Sequence, residues 1–132
     1  MSKYEQRVIT CLRKLFPYFN IQSQYSLSYL TDAPKSIRHS PLDIYIPELH
    51  IGIEVDGEHH RKPVSYGGDV EAGVKFETRK RLDYMKDVAL ANAGIKLLRI
   101  NTDILDHIDD VKLSELLSTL ITNIIKEQDQ DG

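Results

Sequence analysis

Two short apolar runs separated by a tight break constrain this chain most. Leu42-Asp43-Ile44-Tyr45-Ile46 reads as a strand closed by Pro47-Glu48, and Ile51-Gly52-Ile53-Glu54-Val55-Asp56 reads as the next. A link this short predicts an antiparallel hairpin. Side chains alternate along a strand, so Ile51, Ile53 and Val55 take one face while Glu54 and Asp56 take the other. Pairing about Glu48-Leu49 brings Asp43 close to Glu54 or Asp56.

The rest of the chain supplies layers for that hairpin. Residues 4–16 predict a helix: Val8, Cys11, Leu12 and Leu15 recur at helical spacing, Ser2 and Glu5 form a capping-box pattern, and Pro17 ends it. Residues 21–30 alternate from Tyr25 onward and predict an outer strand, and 31–41 read as a loop. Residues 58–76, with Pro63 and Gly67-Gly68, form a long polar segment, with Tyr66 beside the glycines. A helix is expected over 77–93, with Leu82, Met85, Ala89 and Ala93 as its buried stripe and Gly94 just past its end. Ile95 to Ile100 reads as a buried strand reached by a crossover, hence parallel to its neighbour. Residues 111–126 form a last helix, apolar at Leu113, Leu116, Leu117, Leu120, Ile121 and Ile124. The order α-β-β-β-α-β-α gives an α/β fold with a mixed central sheet flanked by helices. One domain over 1–127 and a frayed tail over 128–132 are expected.

Composition narrows the function classes. At 132 residues, 41% hydrophobic and 28% charged, the chain is an ordinary globular domain. A lone cysteine, Cys11, rules out an internal disulfide and reads as a small buried hydrophobe. No apolar run approaches the roughly 20 residues that cross a bilayer, and no leader-type apolar region opens the chain, so a cytoplasmic protein is expected. A net charge of −3 argues against a protein that lives by bulk phosphate attraction, although a local basic patch beside a metal-holding acidic site remains compatible with it.

The chemistry-bearing residues gather around the hairpin. Carboxylates crowded at Asp43, Glu54 and Asp56 repel unless a positive charge lies between them, and all-oxygen sites suit Mg²⁺ or Mn²⁺. His59 and His60 follow at the strand mouth as acid–base groups. Taken singly, Asp43 or Glu54 reads equally as a solvated strand acid, and Asp56-Gly57 as a turn. Lys75, Arg79, Lys80, Arg81 and Lys86 make the densest basic cluster. It reads as a solvated helix face or as phosphate contacts, with Arg61 and Lys62 at the same mouth.

The runs Leu42-Asp43-Ile44-Tyr45-Ile46 and Ile53-Glu54-Val55-Asp56-Gly57-Glu58-His59-His60 resemble the PD-(D/E)XK nuclease superfamily, and within it the branch around very-short-patch-repair endonucleases. The later stretch from Arg81 through Asp83, Lys86 and Asp87 to Gly94 and Leu98-Arg99 fits the same pattern, so the resemblance spans about residues 2–105. It implies a restriction-endonuclease-like three-layer core and a Mg²⁺-dependent endonuclease acting on DNA, Mn²⁺ being an alternative cation. It implies Asp43, Glu54 and the Val55 carbonyl as metal ligands, with Asp56, His60, Lys86 and Glu5 as further catalytic groups. It also implies Arg61, Lys62, Lys75, Arg79, Lys80 and Arg81 as nucleic-acid contacts. Asp56 stands where the superfamily has Lys, so His60 or Lys86 would take over that task. A homodimer would be needed for double-strand cutting by one site per chain. The competing expectation is a non-catalytic DNA- or RNA-binding module of the same fold.

Overall fold

In the computed structural model of the chain, residues 1–57 and 70–131 are described, the side chains of 70–76 and 130–131 excepted. His59, His60, Arg61, Lys62, Tyr66 and the Gly67-Gly68 pair lie outside the described residues, as does the Lys75 side chain.

The described elements are α1 (Lys3–Leu15), β1 (Gln22–Tyr25), α2 (Lys35–Arg38), β2 (Leu42–Ile46), β3 (Ile51–Asp56), α3 (Val70–Asn92), β4 (Lys96–Asn101), α4 (Thr102–His107) and α5 (Asp110–Asp131). The strands form one mixed sheet in the order β1-β2-β3-β4. β1 and β3 both run antiparallel to β2, and β4 runs parallel to β3 after the α3 crossover. The hairpin register pairs Ile44 with Ile53 and Ile46 with Ile51, so it carries Asp43 opposite Glu54. Of the two partners the hairpin allowed for Asp43, the register selects Glu54.

The core divides in two. Ile44, Ile46, Ile51, Ile53 and Ile100 pack against Val8, Ile9, Cys11 and Leu12 of α1, Leu105 of α4, and Leu113, Leu117 and Ile121 of α5. On the opposite face a smaller cluster joins Leu27, Leu42, Tyr45 and Ile95 to Leu90 of α3. Helices therefore lie on both faces of an α/β sheet, and Cys11 is buried. Among the described residues, no helix is long and apolar enough to cross a membrane.

Local chemistry explains the element ends. Ser2 Oγ accepts from Glu5 N at 3.1 Å and caps α1. Gly94 takes φ 77, where a side chain would be strained, and Ile95 N donates back to Leu90 O at 2.8 Å, closing α3. Gly52 answers a close approach: a Cβ there would lie 2.9 Å from Leu42 Cδ1 and 3.3 Å from its Cδ2. Leu42 is fully buried and has nowhere to retreat. Gly52→Ala should therefore lower unfolding free energy by about 1–2 kcal/mol in urea titration, and an unchanged midpoint would show that the site has slack.

The structure corrects the expected boundaries. α3 starts at Val70, not 77, because helix propagation costs little once nucleated and Gly73 alone does not stop it. Residues 31–41 hold the short α2, which carries one buried residue, Ile37, and so shows no periodicity. α4 was not expected either; the side chain of Asn101 caps it by accepting from Asp103 N at 3.0 Å. β1 ends at Tyr25, because Leu27 and Tyr29 are held by packing instead of a strand ladder. Leu27 enters the smaller core, and Tyr29 meets Tyr25 edge-on at 6.0 Å. α5 extends to Asp131, so most of the tail expected to fray is helical.

Candidate active site

The sheet face that carries Glu54 and Asp56 is only partly covered by α3. The opening is a cleft of about 290 Å³ lined by Glu5, Asp43, Glu54, Asp56, Asp83, Lys86 and Arg99, with Ser40 and Pro41 at its edge. Among these described residues, five carboxylates face two cations. A larger groove of about 460 Å³ lies along another side of α3, but Leu30, Ala33, Pro34, Met85, Val88 and Ala89 make it mainly apolar, and it holds none of this chemistry.

Asp43 and Glu54 engage each other across the hairpin. Asp43 N donates to Glu54 Oε2 at 3.3 Å, and Val55 N donates to Asp43 Oδ2 at 2.8 Å. Both carboxylates are thus oriented by the partner strand's backbone. Glu54 is 8% exposed. Burial, and then the neighbouring Asp43 charge, push its carboxyl up to about 7 against the pull of Lys86. Glu5 reaches the same cleft from α1. Its carboxyl is raised by burial and by Asp43, while Gln24 Nε2 donates to its Oε2 at 3.0 Å and opposes the rise.

Lys86 sits at the centre of the site. Its side chain is buried, and its Nζ pairs with Glu54 Oε1. The same Nζ donates to Ser40 Oγ at 3.1 Å and to the Pro41 carbonyl at 3.2 Å. α3 is rotated relative to the expected stripe. Leu82 and Ala93 are exposed, Met85 and Ala89 are half-buried, and the buried positions are Lys86 and Leu90.

Asp56 does not join the Asp43–Glu54 pair. Its Oδ2 lies 3.3 Å from Arg99 Nε. Arg99 also places Nη1 2.7 Å from Asp87 Oδ1, an ion pair off the hydrogen-bond axis, and Nη2 3.8 Å from Asp83 Oδ1. Parallel pairing sets Arg99 beside Glu54 in register. Sequence reasoning took Arg99, Asp83 and Asp87 only as parts of a motif. The Asp83, Lys86, Asp87 spacing sets those three on one helical face, but no spacing in the sequence brings Arg99 to them.

Glu5, Asp43, Glu54, Val55, Asp56 and Lys86 are therefore brought to one cleft. Arg79, Lys80 and Arg81 are exposed on the preceding turn of α3 and do not line it.

The donor chemistry fits a hard divalent cation. Every acidic group at the hairpin is an oxygen donor, and burial, with Asp43 beside it, raises the Glu54 carboxyl to about 7 despite Lys86. The count of assembled donors is small: among the described residues, no group of three or more His, Cys, Asp or Glu is arranged to hold a metal ion. Set against known proteins, the chain matches no family model, no curated protein and no solved structure.

Proposed function

We propose that the chain is a metal-dependent endonuclease that hydrolyses phosphodiester bonds in DNA, on a restriction-endonuclease-like core of the PD-(D/E)XK kind. One observation carries this reading: Asp43 and Glu54 oppose each other across a hairpin, with a buried lysine against the second. A domain with no reaction to run gains nothing from burying Glu54 beside Asp43.

Asp43 and Glu54, with the Val55 carbonyl, would hold Mg²⁺ or Mn²⁺. Such a cation supplies Lewis acidity toward phosphate oxygens and an acidified water. The chain's own groups do the rest. Lys86 brings a positive charge from α3 to the place where the superfamily pattern has a strand lysine, which is why Asp56 can stand there and pair with Arg99. Glu5 at the cleft wall accepts a hydrogen bond from an attacking water. Arg79, Lys80 and Arg81 meet backbone phosphates beyond the cleft's lip. His60 serves as the acid–base group, and Arg61, Lys62 and Lys75 extend the phosphate contacts.

A second reading is favoured by one observation. Lys86 already neutralises Glu54 without any cation, as a retained but inert site would. The protein would then be a nucleic-acid-binding module. A supercoiled-plasmid assay with Mg²⁺, Mn²⁺ and excess chelator, run beside a single-stranded substrate, separates the two. Nicking or linearisation that the chelator abolishes is expected. Intact plasmid in every metal, with DNA or RNA binding retained, would establish the module.

A further inference from the structure

Little apolar packing holds the described stretch of α3 ahead of Leu90 to the sheet. Between residues 77 and 89 the only buried side chain is Lys86; Leu82, Tyr84 and Val88 are exposed and Met85 is half-buried. The apolar anchor, Leu90, lies a full turn further on. An ammonium seated on Glu54 from so loosely packed a stretch of helix needs something else to fix its position, because a one-residue slip turns a helical side chain by about 100°.

We propose that Arg99 is the positioning residue that clamps α3 to the sheet and thereby seats Lys86 on Glu54. Its guanidinium, on β4, reaches three carboxylates on two other elements. Nε faces Asp56 of β3, while Nη1 and Nη2 face Asp87 and Asp83 of α3, and Nη2 also lies 3.4 Å from the Asp83 carbonyl. Asp83 and Asp87 bracket Lys86 at three residues before and one after, so the grip falls on both flanks of the lysine. A single exposed ion pair would fix little. A planar fork that spans three carboxylates is a different case, and one a lysine cannot reproduce. The same contact holds Asp56 at the Arg99 side of the cleft, while Asp43 and Glu54 engage each other.

The catalytic meaning of this clamp rests on the nuclease reading, but the clamp itself can be tested without cleavage. Reductive methylation with labelled formaldehyde, followed lysine by lysine, reads how well Lys86 is seated. In the native protein Lys86 should react slowly and the exposed Lys96 quickly. In Arg99→Gln, Lys86 labelling should rise about 10-fold or more while Lys96 stays unchanged, since only the local opening differs. Arg99→Lys should fall between, because its ammonium satisfies one carboxylate at a time. If cleavage is present, Arg99→Gln should lower kcat with KM little changed. Should Arg99→Gln fail to fold, Asp87→Asn, at a half-exposed position, carries the test with a smaller rise. Lys86 protection unchanged in a folded variant would overturn the proposal. A chain that never cuts DNA yet loses Lys86 protection would sink the nuclease reading and leave the clamp standing; cutting with Lys86 protection unchanged would do the reverse.

Discussion

Glu54→Gln should reduce metal-dependent cleavage by about 10³-fold or more, the scale at which a preorganised charge at the reacting phosphate is lost. The substitution is chosen because it removes charge and little else. Glu54 now meets the Lys86 ammonium through Oε1 and the Asp43 N–H through Oε2, and a glutamine keeps a carbonyl oxygen for one of the two. The change keeps side-chain volume but takes the counter-charge from the buried Lys86, so thermal stability should fall while the fold is retained. Alanine would be a poorer probe, because it also empties the buried volume that the Glu54 side chain fills. Rates measured in Mg²⁺ and Mn²⁺ on supercoiled plasmid give the answer. Native rates in Glu54→Gln would remove this carboxylate from the chemistry.

Lys86→Met should destabilise the protein strongly at pH 8 and only mildly at pH 5. Methionine matches the length of the lysine stem but leaves Glu54 facing Asp43 with no cation. Stranding a buried charge costs about 3–5 kcal/mol. The pH dependence follows from the direction of the Glu54 shift. Burial raises its carboxyl from 4.5 to about 7 in the folded state. Across that window the folded chain binds more proton than the unfolded chain, so stability is fully present below 4.5 and is lost as pH rises toward 7. Lys86 opposes the rise, so removing it pushes the carboxyl higher and extends the loss upward in pH. Urea unfolding at pH 5, 6.5 and 8 should show the gap between native and Lys86→Met widening with pH. A gap independent of pH would mean that the lysine contributes packing alone.

The hairpin could be read from the sequence because its constraints are local. A break of four residues, Pro47 to His50, fixes the register, and the Ile51-Ile53-Val55 alternation fixes which face the acids take. The same holds for α1, with its Ser2 cap, and for the glycine that closes α3. The phase of α3 could not be read. Leu82, Met85 and Ala89 outweigh Lys86 on any apolar scale, yet Lys86 and Leu90 face the sheet, because the cleft beneath Lys86 is ionic. Met85 and Ala89 instead line the apolar groove beside residues 29–34. Arg99 was equally hidden. Its meeting with Asp56 depends on parallel pairing across the α3 crossover, and its meeting with Asp83 and Asp87 on the rotation of α3. Neither can be derived from spacing alone. The short helices α2 and α4 are set by single caps and by one buried residue each, Ile37 and Leu105, which is too little for a period to register.

The central claim is that Asp43 and Glu54 together grip a divalent cation, and Mn²⁺ titration followed by electron paramagnetic resonance tests it most directly. The titration belongs at pH 8, above the point where Glu54 releases its proton, because a ligand must be deprotonated to bind. The expected result is one Mn²⁺ per chain, with affinity about 10-fold or more weaker in Asp43→Asn and in Glu54→Gln and tighter in Lys86→Met, where the competing ammonium is gone. Free Mn²⁺ signal undiminished by the native protein, or equal affinity in all four proteins, would contradict it.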